Sequence, residues 1–407
     1  MSSEEATALV PSQQQKAPPV GKMEALTGLR GVMAVYVVVY HFFGDFRNGE
    51  LLGTKSADRL VGHGFVAVTF FFQLSGFVNT AVAESRGADY GERFRRRFWR
   101  RRAARLAPAY FASMLLFAPL VWFAWPPSTP PFDARVARFA ALATTPLGLQ
   151  TWAPYPLWRL ANYPAWAVSC ELFFYLAFPF LAPRLRTSWP ATMLVVLGMA
   201  QFATSAAAYS LLGATPLAAD VVYVWPVVRI FEFAQGIVLG FWRPHFFAHA
   251  VDVAAALVIA LLIAVPRSWP PACVTLVLQL PVAFLIASAA HDQGLIAYLC
   301  RSRTAIVAGE ISYCTYLLQA PLMLALLWCL DPAHDLPAIF DMLLARAIGE
   351  RPPSPILPLS ALPLVLLSLH TVAKFLYDFL ELPALSYLTA DSPPLPKERG
   401  PETPVVC

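Results

Sequence analysis

Apolar residues run along this chain in long blocks rather than in short periodic stretches. A helix needs roughly 20 apolar residues to cross the hydrocarbon of a bilayer. The pattern predicts spanning helices at about 25–46, 65–83, 103–125, 165–182, 189–213, 217–241, 250–266, 270–290, 305–330 and 357–380. Prolines mark several of the ends, at Pro126-Pro127, Pro183, Pro266 and Pro270-Pro271, where a helix tends to stop. The seventh and eighth blocks are separated by a very short turn and are expected to form a tight hairpin. The expected fold is all-α, a polytopic membrane bundle of about ten transmembrane helices. Residues 1–22 are polar and hold Glu4, Glu5 and Gln13-Gln14-Gln15. They lack the apolar core of a signal peptide and read as a disordered cytosolic tail. Residues 389–407 read as a second, Pro-rich tail, which leaves 23–388 as one transmembrane domain.

Composition agrees with that picture. Of 407 residues, 58% are hydrophobic and 14% charged, against about a quarter charged in a soluble domain. The net charge of +5 is modest, and its basic residues concentrate in one stretch. That argues for membrane topology rather than nucleic-acid binding. Residues 84–105 hold nine arginines against three acids, which marks them as a cytosolic loop. Threading from there puts Arg184, Arg186, Arg243, Arg301 and Arg303 on the same side and both termini in the cytosol. The longer loops at about 126–164 and 331–356 then face outward or into a lumen. None of the six cysteines forms a CxxC pair, which argues against a zinc site or a disulfide framework. His245 and His249 have a ligand spacing, but no third ligand lies nearby.

Charges inside spanning segments are costly and usually functional. The first helix carries Arg30, His41 and Asp45. Eleven residues separate Arg30 from His41, close to three turns, so they share a face about 16 Å apart along the axis. Asp45 follows one turn later on that face and is placed to orient the imidazole. Base plus orienter is the arrangement of general base catalysis. The alternative is a snorkelling Arg30 and a hydrogen-bonded packing histidine.

The fourth helix holds Glu171 without a basic partner in its own helix, one turn before Tyr175. It has to find a partner on another helix, face a polar cavity, or be neutral. Arg229 and Glu232 on the sixth helix are three apart and read as a structural pair. Ser75 and Gly76 on the second helix read as packing residues that allow close approach. In Arg100-Arg101-Arg102-Ala103-Ala104-Arg105, Arg102 and Arg105 are three apart beside Arg101. Two readings stand together here: a topology signal attracted to anionic lipid, and a site that grips phosphates. Late in the chain, Gly309-Glu310-Ile311-Ser312-Tyr313 and Gln319-Ala320-Pro321 are polar enough to line a cavity.

Taken in order, these motifs resemble the acyltransferase-3 family of membrane proteins over roughly residues 23–385. Leu26-Thr27-Gly28-Leu29-Arg30-Gly31 followed by His41 is similar to the family's first-helix signature. Phe71-Phe72-Gln73-Leu74-Ser75-Gly76-Phe77 is similar to its second, and Arg102 with Arg105 to its Arg-x-x-Arg element. Trp166 to Glu171, Arg229 to Gly240 and Gly309 to Pro321 resemble three further blocks. Ala167 stands where serine is common, Cys170 precedes the glutamate, and Leu380-Glu381-Leu382-Pro383 resembles the family's Glu-x-Pro ending only loosely. The resemblance implies ten spanning helices, an acyl-CoA donor (often acetyl-CoA) arriving from the cytosol and an acceptor hydroxyl, often on a carbohydrate. It also implies that His41 is the catalytic base and that Arg102 and Arg105 help hold the CoA phosphates; the residues themselves add the expectation that Asp45, Arg30 and Glu171 assist His41 and that Arg101 joins the two arginines. No permanently bound cofactor or metal is expected. The rival expectation is a non-enzymatic transporter or flippase that uses the same charges, although the chain lacks the inverted repeats of many transporters.

Overall fold

The computed structural model describes residues 23–43, 54–123, 134–152, 162–213, 215–244, 246–330 and 359–389. Asp45, His245 and both expected tails, apart from Thr389, lie outside the described residues. In chain order the helices are α1 (Glu24–Phe43), α2 (Lys55–Gly62), α3 (Val66–Ser85), α4 (Glu92–Phe123), α5 (Ala134–Thr144) and α6 (Trp166–Leu185). There follow α7 (Pro190–Leu212), α8 (Pro216–Val224), α9 (Pro226–Trp242), α10 (Ala250–Ala264) and α11 (Pro271–Ala289). The last are α12 (Leu295–Cys300), α13 (Arg303–Glu310), α14 (Ser312–Leu330), α15 (Leu362–Leu376) and α16 (Leu382–Thr389). A π-helical turn, Tyr377–Glu381, joins α15 to α16. No strand occurs among the described residues.

Seven segments among the described residues are long and apolar enough to cross a membrane: Glu24–Phe43, Val66–Ser85, Tyr163–Leu185, Pro190–Leu212, Leu217–Trp242, Pro271–Ala289 and Leu362–Leu388. The shorter apolar α10, the later part of α4 and α14 occupy the other three expected positions. The chain is a multi-pass, all-α membrane protein.

The structure departs from the sequence expectation at several places, each with a local cause. The arginine-rich stretch is not a loop beyond Gly91. It forms the first three turns of α4, a 32-residue helix about 48 Å long, well beyond the roughly 30 Å of hydrocarbon. The expected helix 217–241 breaks at Trp225, whose backbone is extended because Pro226 follows it. The expected helix 305–330 breaks at Ile311. Pro183, expected to end a helix, lies inside α6, as neighbouring helices in a membrane bundle permit. The expected loop 126–164 includes α5.

Small residues bring the helices together. A Cβ added at Gly76 would overlap the carbonyl oxygen of Phe233, and one at Gly236 that of Gln73. The α3–α9 crossing is therefore backbone on backbone, the packing that Gly76 promised. The same holds where Gly28 meets Cys300 and Gly309 meets Thr27, which locks α1 against α12 and α13.

Two apolar clusters result. One gathers α3, α6, α9, α10 and α11, with residues such as Phe72, Phe174, Phe233 and Leu278. The other gathers the end of α1 with α4, α14 and α15, around Phe42, Tyr110, Leu317 and Leu369. Leu172, Tyr313 and Tyr316 pack against both clusters and so mark the seam between them. Along that seam Arg30 meets Ser312 and His41 meets Gln319. Both α1 and α14 advance in the same direction between these contacts, as a first and a ninth span must.

The Gly76–Gly236 crossing has no room for a side chain. Gly236→Leu is expected to destabilise the protein by about 3 kcal/mol or more, whereas Val195→Ala on the lipid-exposed side of α7 should change stability little. Thermal unfolding of the purified protein in detergent checks this. A Gly236→Leu protein as stable as the parent contradicts the crossing.

Candidate active site

The seam holds a cavity of about 80 Å³. Its polar lining is Arg30 from α1, Glu171 from α6, and Ser312, Tyr313 and Tyr316 from α14. Phe71, Phe72, Val68, Ala167 and Val168 supply the apolar walls. Room for one water needs about 10–15 Å³ on this measure, so the cavity holds several waters or a slender chain.

Arg30 Nη2 donates to Ser312 Oγ at 3.1 Å. Glu171 shares a hydrogen bond with the Tyr175 hydroxyl, and its carboxylate feels three guanidinium groups, those of Arg102, Arg30 and Arg105. Glu171 thus finds its cations on other helices and faces the cavity as well, two of the three outcomes expected of it. Tyr175 is fixed in turn by the Ser75 hydroxyl at 3.1 Å and, through its carbonyl, by the indole N–H of Trp99 at 2.9 Å. Ser75 therefore does more than pack, since it ends on the same polar chain.

The arginines of α4 divide. Arg102 is half-buried and lies over the rings of Phe98 and Tyr175, at 5.5 and 5.4 Å. Arg105 is buried and pairs with Glu381 of the π turn at 3.1 Å. Glu381 also accepts from Cys314 Sγ at 3.2 Å. Arg101 is half-buried and surrounded by Arg86, Arg97, Arg100 and Arg102; its partial burial, and then these like charges, lower its pKa. An anion at this end relieves that repulsion.

His41 sits farther along the seam. Its Nδ1 is 2.8 Å from Gln319 Oε1, and its ring meets Tyr163 edge-on at 5.4 Å and Tyr40 at 5.1 Å. Asn162, just before Tyr163, donates to the carbonyl of Leu317 at 2.8 Å and ties the start of the Tyr163–Leu185 span to α14. The expected partner Asp45 lies outside the described residues, so the His41–Asp45 pairing is not placed.

Arg229 and Glu232 form the expected pair, at 3.1 Å and fully buried. Glu232 also accepts from Gln201 at 3.0 Å, while Arg229 is flanked by the rings of Phe72, Trp166 and Tyr223. His249 bonds Asp252 at 2.9 Å, and Asp252 caps the first amides of α12.

Sequence reasoning missed Glu381 as a site residue and Tyr163 altogether. It noticed Gln319 only as a polar wall. The signal for Gln319 was its position seven residues beyond Ser312, two turns along one face of α14. Glu381 stood just past the last expected span and was weighed only as a loose motif.

The chain matches the acyltransferase domain of the acyltransferase-3 family over residues 23–369. It belongs to that family. The acyltransferase MdmB of Streptomyces mycarofaciens is 30% identical over 330 residues, which cover 74% of this chain and 79% of that protein. The putative peptidoglycan O-acetyltransferase YrhL of Bacillus subtilis (strain 168) is 35% identical over 98 residues, 24% of this chain and 13% of that protein. No solved structure matches the chain. The protein is thus an acyltransferase, and the rival expectation of a non-enzymatic transporter gives way. In this acyltransferase Glu381 stands beyond the matched domain, yet its carboxylate reaches back to Arg105 inside it.

Removing one partner of a buried ion pair strands the other charge. Glu381→Met alone is expected to cost about 3–5 kcal/mol, as is Arg105→Met alone, while the two together recover most of the loss. A thermal-stability double-mutant cycle measures this, and purely additive effects would contradict the pair.

Proposed function

We propose that this acyltransferase moves an acyl group, acetyl in the simplest case, from acyl-CoA to a hydroxyl of a carbohydrate or related acceptor, with His41 as the general base. The observation that carries the reading is the polar seam. It runs from Arg102 past Glu171 and Arg30 to His41, between two apolar clusters.

The arginine-rich end of α4 lies in the cytosol in this reading, together with both termini, and receives the phosphates of the donor. Arg101 and Arg102 are the half-buried cations there. Arg105 is turned inward to Glu381 and stiffens the end of the site rather than meeting phosphate directly. The uncharged arm of the donor then enters the seam, where Arg30 and Glu171 flank it.

At His41 the acceptor O–H bond breaks and its proton goes to the imidazole. The oxygen forms a bond to the thioester carbonyl carbon, and the C–S bond breaks. The departing thiolate takes the proton back from the imidazolium, which leaves an ester, CoA and neutral His41. A positioned base contributes about 10²–10⁴-fold to such a reaction, and confinement in the seam supplies part of the remainder. Support for a carbohydrate acceptor comes from the similarity to a protein named as a peptidoglycan O-acetyltransferase.

Two measurements test the reading. His41→Ala should lower acetyl-CoA consumption by purified protein at least about 100-fold, with monodispersity and unfolding temperature unchanged; normal turnover in that variant sinks the base assignment. Arg101→Ala with Arg102→Ala should raise the apparent donor KM about tenfold or more, the worth of one charge-assisted contact. An unchanged KM removes these two arginines from the donor site.

A further inference from the structure

Gln319 makes two hydrogen bonds. Its amide nitrogen donates to the carbonyl oxygen of Tyr316, one turn back on α14, at 2.9 Å. Its amide oxygen lies 2.8 Å from His41 Nδ1. The first bond fixes which way the amide points. A backbone carbonyl can only accept, so the Gln319 atom that faces it has to be the NH2 group. The oxygen then faces His41, and an amide oxygen can also only accept. The donor in the second bond is therefore Nδ1. Turning the amide over would set two oxygens against each other at Tyr316. Gln319 is completely buried, where such a mismatch is expensive.

We propose that Gln319 is a positioning residue that holds the neutral His41 ring in the tautomer protonated at Nδ1, so that Nε2 carries the lone pair that takes the acceptor's proton. The inference rests on the general-base reading and gives His41 an orienter on α14. The bond a ring nitrogen makes on one side decides what the other nitrogen does, and carboxylates commonly hold this position. A neutral amide acts differently. It selects the tautomer and aims the ring through a neutral hydrogen bond. During transfer the Nδ1 proton stays on the bond to Gln319. Nε2 gains the acceptor's proton and then delivers it to the thiolate, and Gln319 accepts from the imidazolium throughout.

The tautomer can be read directly. The full-length protein, labelled with [15N]histidine and held in lipid nanodiscs near pH 8, gives a His41 signal identified by its loss in His41→Ala. Wild type should show a protonated Nδ1 and an unprotonated Nε2. Gln319→Leu removes the acceptor and should move His41 toward the Nε2-protonated form that imidazole favours in water. Gln319→Glu keeps an acceptor and should preserve the Nδ1 proton. In acetyl-CoA turnover, Gln319→Leu should lose about 100-fold in kcat or more with the donor KM within about twofold of wild type. Gln319→Glu should recover much of the rate and shift the acidic limb of the pH profile upward, because a carboxylate beside the ring raises its pKa. An Nε2-protonated His41 in wild type, or a tautomer that Gln319→Leu leaves unchanged, overturns the proposal. So does an equal kcat loss in Gln319→Leu and Gln319→Glu with no shift of the pH limb, which a merely structural role would give. Activity that survives in His41→Ala strikes the general-base reading instead, and the tautomer measurement tells the two failures apart.

Discussion

A charge carried into hydrocarbon has to find its partner inside the protein, because lipid offers none. That constraint organises this bundle. The polar residues on α1, α4, α6, α14 and the π turn all turn toward one seam, where Arg30 meets Ser312, His41 meets Gln319 and Arg105 meets Glu381. The glycine crossings close the faces that carry no charge: α3 against α9, and α1 against α12 and α13. Because those crossings are backbone on backbone, they hold the helices at a fixed distance, and the seam keeps its width.

The same constraint separates two polar layers that look alike along the chain. Arg229 and Glu232 pair with each other, Glu232 also accepts from Gln201, aromatic rings flank Arg229, and neither residue lines the cavity of the seam. Arg30 and Glu171 instead face open space. Phe72 stands between the layers, lining the cavity on one side and lying 5.4 Å from the Arg229 guanidinium on the other. A buried pair that satisfies itself stabilises a fold. In the proposed reaction the second pair, which lines the cavity, flanks the donor's arm, while the first stays within the packed bundle.

Much of this was legible in the sequence because spanning helices write their length and their charges in the open. The all-α membrane fold, the buried Arg229–Glu232 pair and the packing role of Gly76 follow from block length and i, i+3 spacing. The shared cavity of Arg30 and Glu171 does not, since nothing in α1 or α6 alone says that the two helices meet. The hydrogen bond between His41 and Gln319 was hidden for the same reason, since it joins residues 278 positions apart. Helix periodicity reports the face a residue occupies, not the helix that comes to lie against it. Glu381 was obscured by a further cause: the π turn that brings it to Arg105 is a local change of winding, which periodicity at 3.6 residues per turn cannot register.

The placement of the polar groups along α1 also bears on how a charged donor is used in a membrane. Arg30 and His41 are about 16 Å apart along the helix axis, roughly half the thickness of the hydrocarbon. The dense arginines of α4 lie at the Arg30 end, since Arg102 and Arg105 act on Glu171 beside Arg30. In the proposed reaction the phosphates stay at that end, where water and guanidinium groups receive them, and only the neutral arm of the donor travels toward His41. The acceptor approaches from the other end and meets the base without crossing the cationic region. Each substrate then leaves its polar bulk on its own side of the bilayer, and the proton that moves deep in the seam passes through the histidine between them.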